Sequence, residues 1–270
     1  MHPIEHLRYV ARAQGADPTS LVEETAHALG SLHFDPSGLV VACRRIVERH
    51  PFAGALWWLC ATVVTSAEPF EAVWELADEI RSDRTGAELA AVLADDAVVV
   101  TIGDPDVIGD ALIRRGDIRV LALDARFSAT SFIRRMERYD VDAEPVEAGV
   151  AGAAIRAADL VLVEALAIDS QRCVAPMGSS TIAAIASAFG TEVWVVAGVG
   201  RRLPSGFLDA MVAKAEAMGA DTDPWDLDVE VLPTSMFTHV VGPNGKVPMG
   251  PPAIVAECPM AHELLRSSHI

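Results

Sequence analysis

The chain has 270 residues, 51% of them apolar, and carries 21 Lys and Arg against 38 Asp and Glu for a net charge of −17. A field that negative repels phosphate backbones and acidic headgroups alike, which argues against nucleic-acid and membrane partners. A chain this long and this apolar buries a sizeable core, and disorder is excluded for most of it. The four cysteines, Cys43, Cys60, Cys173 and Cys258, make no CxxC pair and no Cys/His cluster at zinc-site spacing. No basic-then-apolar leader opens the chain. A reduced cytoplasmic protein is expected, with no metal and no cofactor. The two longest uncharged stretches, 51–67 and 173–191, are diluted by Gly, Ser, Thr and Pro. Neither supplies the ~20 apolar residues that a membrane span needs.

The first part of the chain reads as helical. Residues 4–14, 18–32, 36–49, 52–66 and 69–94 carry apolar side chains at three- and four-residue spacing. From Asp95 the pattern changes to short β-branched runs at 97–102, 119–123, 160–163 and 193–197, then 229–232 and 239–242. Most are followed by a turn and a helical segment. Such alternation predicts parallel βαβ units in an open, doubly wound sheet with both faces buried. The expected architecture is an N-terminal helical domain, 1–94, followed by a Rossmann-like α/β domain, 95–270.

Ligands of such sheets gather beyond the carboxyl ends of the strands. Met177-Gly178-Ser179-Ser180-Thr181 opens a helix that stops at Gly190. Its N–H groups and hydroxyls suit a phosphate or carboxylate, although Ser and Thr cap helices without any ligand. Arg126, beyond the strand ending near Asp124, is a candidate anion fork or a structural ion pair. Gly103, after the first strand, and Arg201, after Gly198-Val199-Gly200, complete the candidate binding set. Asp104, Glu164 and Asp169 are candidate acid/base carboxylates near strand ends; capping or solvation is the alternative for each. Cys173, read as part of the loop before the Gly-Ser-Ser turn, is either an activated thiol or a buried apolar residue. Trp57 and Trp58 sit in the most apolar helix, as core or as interface.

Taken in order, these segments resemble the family of translation initiation factor 2B alpha, beta and delta subunits, which includes ribose-1,5-bisphosphate and methylthioribose-1-phosphate isomerases. Asp159-Leu160-Val161-Leu162-Val163-Glu164-Ala165-Leu166, then Met177-Gly178-Ser179 and the helix to Phe189-Gly190, is similar to the family's buried strand, Gly-Ala-Asp, Asn-Lys-x-Gly-Thr turn and helix. Val98–Gly103 and Leu121–Arg126 are similar to its cysteine-terminated strand and its Glu-x-Arg-Pro turn. Arg49–Ala53 and Leu232–Thr238 are similar to its Arg-Pro-Thr-Ala and Val-Pro-Pro segments. The likeness runs over about residues 35–250. The isomerases' catalytic cysteine and aspartate are replaced here by Gly103 or Asp104 and by Leu166, and the Asn-Lys pair by Ala175-Pro176.

The resemblance implies a Rossmann-like sheet domain and a homodimer. It also implies binding of a small phosphorylated metabolite, a sugar phosphate or a nucleotide, at the carboxyl edge without the usual isomerase pair. Two alternatives stand beside that one. The first is an aldose–ketose isomerase working through Asp104, Glu164, Asp169 or Cys173. The second is a non-catalytic subunit that buries the Trp57-Trp58 helix against another chain.

Overall fold

The computed structural model describes residues 18–31, 36–124, 129–250 and 253–266. The expected helix over 4–14 lies outside them, as do the loop holding Arg126 and the last four residues. Helices α1 (Pro18–Gly30), α2 (Pro36–Arg49) and α3 (Gly54–Thr65) follow the expected spacing closely. The single long helix expected over 69–94 is instead two, α4 (Pro69–Arg81) and α5 (Thr85–Val92). Asp83 causes the break: its Oδ1 accepts hydrogen bonds from the Thr85 N–H at 2.8 Å and the Thr85 hydroxyl at 2.6 Å. A side chain that satisfies the first orphan N–H of a helix starts a new one there.

The remainder runs β1 (Val98–Ile102), α6 (Asp106–Arg115), β2 (Arg119–Leu123), α7 (Ala129–Glu137), β3 (Ala143–Val146), α8 (Ala151–Ala157), β4 (Leu160–Glu164), β5 (Ala167–Ile168) and β6 (Arg172–Pro176). Then come α9 (Ser179–Phe189), β7 (Glu192–Val196), α10 (Ser205–Asp221), β8 (Val229–Pro233), β9 (His239–Gly242) and β10 (Gly245–Pro248). The main sheet has the order β10-β9-β7-β4-β1-β2-β3. Its strands are parallel except β10, which returns on β9 through a turn whose Gly245 has φ +99.

Two expectations need correction. Residues 229–232 do form a strand, but β8 pairs antiparallel with β6 in a separate three-stranded sheet, β5-β6-β8. Residues 172–176, read as a loop, are the middle strand of that sheet. An apolar run of four or five residues fixes neither strand direction nor sheet membership.

Alternation along β1 divides the core between the two faces of the main sheet. Val99 packs on one face with Leu89 of α5, Ile108 and Leu112 of α6 and Phe132 of α7. Val100 and Ile102 pack on the other with Ile155 of α8, Ile182 and Ala183 of α9 and Leu232 of β8. A third cluster joins α1–α4 to α10 and the C-terminal segment, with Trp57 against Phe207 at 5.1 Å between ring centroids. Both tryptophans of α3 are buried inside the chain, and Trp57 Nε1 donates to the Pro51 carbonyl at 3.0 Å. Neither is a surface residue waiting for a partner.

Candidate functional site

The sheet reverses direction between β1 and β4. Strands β2 and β3 are added on one side of β1, and β4 then returns to the other side. In doubly wound sheets the crevice at such a reversal is where ligands sit. The pairings Val100 to Val161 and Ile102 to Leu123 set Gly103 level with Glu164 at this edge, and the Gly103 N–H donates to the Leu123 carbonyl at 3.1 Å. Gly103 has φ +75, a left-handed turn off the strand that glycine adopts without strain. Gly178 closes in from α9: with φ +96, a Cβ on it would lie 2.6 Å from the Ile102 Cδ1.

Glu164 ends β4 and is 7% exposed. Its Oε2 accepts the Ile108 N–H at 3.1 Å, so it lies against the first turn of α6. Burial pushes its pKa up to about 7; Arg201 pulls the other way, Asp106 adds to the rise, and the N–H groups of Ile108 and Asp106 oppose it. A carboxylic acid that titrates near neutrality at a sheet's switch point has the chemistry of an acid/base group.

Arg201 is 4% exposed. Among the described residues its guanidinium has no ion pair within 4.0 Å and no hydrogen bond, and its charge acts on Glu164. The Nε atoms of Arg135, Arg172 and Arg202 are fully buried without a partner, whereas no nitrogen of Arg201 is. Its head therefore keeps a narrow contact with solvent. The loop that carries it is rigidly built. The Arg201 N–H donates to the Gly198 carbonyl at 3.2 Å, and its own carbonyl accepts the Ile168 N–H at 2.8 Å. Gly200, φ +77, lies against Trp58 and Ala55 of α3, where a Cβ would meet the indole at 3.0 Å. Asp83 holds the near side through the Val199 N–H, at 2.9 Å to its Oδ2.

Other expected site residues are engaged elsewhere. Asp104 follows Gly103, but its carboxylate accepts the Ser131 hydroxyl at 2.5 Å and faces Arg135 at 3.2 Å, which ties α6 to α7. Asp169 is locked into the turn before β6 by the N–H groups of Gln171 and Arg172, at 2.8 and 2.6 Å, and by the Arg172 guanidinium at 2.8 Å. Cys173 lies fully buried on β6, and burial pushes its thiol far up, so it is no activated nucleophile.

The Gly-Ser-Ser turn is a correction of a different kind. The Ser180 N–H donates to Glu230 Oε1 at 2.9 Å and the Ser180 hydroxyl to Glu230 Oε2, while the Ser179 hydroxyl donates to the Pro176 carbonyl at 2.7 Å. The start of α9 does bind a carboxylate, and the chain supplies it from β8. Arg126 lies outside the described residues. Sequence reasoning missed Glu230 and Asp83. Asp83 left a trace, since Thr85 with Glu88 three residues on is a helix-start signature inside the apparent long helix.

A groove of about 530 Å³ lies at the opposite, amino end of β7, lined by Ser187, Thr191, Glu192, Ser235 and Thr238 among others. It holds a carboxylate and no cation, which does not suit an anion. Among the described residues no three of His, Cys, Asp and Glu converge as a metal-ligand set. No described helix is long and apolar enough to cross a membrane.

No protein-family model matches the sequence, and no curated protein does. Solved structures do. A translation initiation factor 2B protein of Pyrococcus horikoshii is 15% identical with a TM-score of 0.76, over 94% of this chain and 98% of that one. The beta subunit from Chaetomium thermophilum is 13% identical with a TM-score of 0.71, over 99% and 93%. The delta subunit from A. fulgidus is 14% identical with a TM-score of 0.59, over 92% and 88%. The chain has the fold of the translation initiation factor 2B alpha, beta and delta subunits.

Proposed function

We propose that this protein binds a small phosphorylated metabolite, a sugar phosphate or a nucleotide, where β1 and β4 end, with Arg201 as the principal counter-charge. The observation that carries the reading is Arg201 itself: a residue 4% exposed, whose guanidinium has no ion pair within 4.0 Å among the described residues. A buried cation without a close partner is costly, and an anion drawn from solvent relieves that cost. Gly103 lets main chain approach a ligand closely at the same edge. Calorimetric titration with a panel of phosphorylated sugars and nucleotides tests it. Binding that Arg201→Met abolishes is expected; silence across the panel refutes it.

The raised pKa of Glu164 favours a second reading, a sugar-phosphate isomerase in which Glu164 moves the proton between adjacent carbons. Asp104 and Asp169, held by Arg135 and Arg172, are poorly placed to share that work. Turnover of pentose or thiopentose phosphates that Glu164→Gln abolishes supports it, and no turnover removes it. A homodimer in the cytoplasm is the proposed setting. The Chaetomium thermophilum beta and delta subunits form a tetrameric complex, so association through this fold has a precedent. Light scattering at micromolar concentration decides between dimer and monomer.

A further inference from the structure

We infer that the anion site at Arg201 is proton-coupled: docking of an oxyanion draws a proton from solvent onto the Glu164 carboxylate, so that the ligand is held by Arg201 opposite a neutral acid. The inference deepens the binding reading above and rests on it. The geometry is that of two buried groups of opposite charge at adjoining strand ends: Glu164 closes β4 level with Val196, the last residue of β7, and Arg201 follows in the loop after β7. Glu164 lies between the first turn of α6 and the loop after β7, 7% exposed, and Arg201 is the charge opposite it, 4% exposed and outside ion-pair distance.

The other groups facing Glu164 can be named. From α6 come the N–H of Ile108 and both the N–H and the carboxylate of Asp106. Asp104, beyond β1, is turned to Ser131 and Arg135, and Asp83, before α5, is spent on Thr85 and Val199. Among the described residues Arg201 is therefore the cation that ionised Glu164 has at hand, and an incoming anion competes with Glu164 for it. Two negative groups around one guanidinium repel, and the weaker acid resolves the repulsion by taking up a proton. The group is poised for this, since its pKa already stands at about 7.

The direction of the pH effect follows. Below about pH 7 Glu164 is already neutral, and anion affinity is flat with pH. Above it, each binding event takes up a proton, and affinity falls by up to about tenfold per pH unit. The test uses sulfate, which does not itself titrate in this range, measured by calorimetry at about pH 6 to 9 in buffers of different ionisation enthalpy. The expected result is close to one proton taken up per sulfate at about pH 8. In Glu164→Gln the uptake vanishes, and affinity stays at the low-pH value throughout. Native affinity that is equal at pH 6 and 9, or proton uptake unchanged in Glu164→Gln, overturns the coupling and leaves anion binding standing. No sulfate binding at pH 6 also overturns it, and takes the binding reading with it if the panel of phosphorylated ligands is silent as well. Proton uptake by the native chain is read without any variant, so a folding defect in Glu164→Gln does not block the test.

Discussion

Replacing Glu164 with Gln should make the folded chain more stable at alkaline pH and leave it nearly unchanged under acid conditions. Burial raises the native pKa from an ordinary 4.5 to about 7, so between those values the native state binds more protons than the unfolded chain. Stability then falls as pH rises through that window and levels off above it. A displacement from 4.5 to about 7 corresponds to about 3 kcal/mol in total. Glutamine has nearly the same shape, keeps an oxygen for the Ile108 N–H and carries no charge at any pH, so it reproduces protonated Glu164. Urea unfolding of the two proteins at half-unit steps from about pH 4.5 to 8.5 isolates the effect, because every other titrating group is common to both. The difference should be near zero at the acid end and grow to about 3 kcal/mol in favour of Gln at the alkaline end, or about 6–12 °C in Tm. Parallel curves would refute the reasoning, and so would a difference of opposite sign. Opposite sign would mean that Arg201 stabilises the ionised form more than burial penalises it.

Asp83→Ala should cost about 2–3 kcal/mol by urea unfolding, since it strips the cap from α5 and leaves the buried Val199 N–H without its acceptor. Trp58→Ala should cost about 3–5 kcal/mol and also weaken anion binding, because the indole is the wall behind Gly200 and the Arg201 loop; loss of stability with binding intact would sever that link. Gly178→Ala should cost about 1–2 kcal/mol, mostly from forcing a side chain into φ +96, since the Ile102 Cδ1 it meets is the free end of a side chain. All four cysteines are buried and free; the hydrogen bond with Cys43, then burial, pushes the thiol of Cys60 up, and burial pushes those of Cys173 and Cys258 up, to about 12 for Cys258. A maleimide should label none of them natively and all four in urea; rapid native labelling would show that these helices and strands open readily.

Long periodic segments were the readable part of the fold. Helices α2 and α3 and strands β1, β2, β4, β7 and β9 fall within one or two residues of where apolar spacing puts them. The strands that escaped carry a weak pattern for particular reasons. Ala143–Val146 is an edge strand of Ala, Glu, Pro and Val with no buried face, and Gly245–Pro248 is a short hairpin return. Arg172–Pro176 is buried but holds only one β-branched residue. The antiparallel sheet of β5, β6 and β8 depends on contacts between segments some sixty residues apart, which local periodicity does not encode.

The site was harder to read because a motif states what a helix start can hold, not what already holds it. Four helices begin on carboxylates supplied by other parts of this chain. Thr85 of α5 is held by Asp83, Ile108 of α6 by Glu164, Ala129 of α7 by Asp124 and Ser180 of α9 by Glu230. In a chain of net charge −17, carboxylates are abundant enough to fill these positive dipole ends. The Gly-Ser-Ser turn, the most phosphate-like feature of the sequence, is thereby neutralised by Glu230, a residue fifty positions away. A guanidinium is harder to satisfy in passing, because it must be met at close range by an oxygen in the right plane. Arg115, Arg135, Arg172 and Arg202 are met in that way. Arg201 differs from them by its rigid loop, which holds it beyond ion-pair reach of a glutamate that burial keeps largely protonated below about pH 7. The positive charge available at the carboxyl edge follows from that failure of internal pairing, and only three-dimensional distances reveal it.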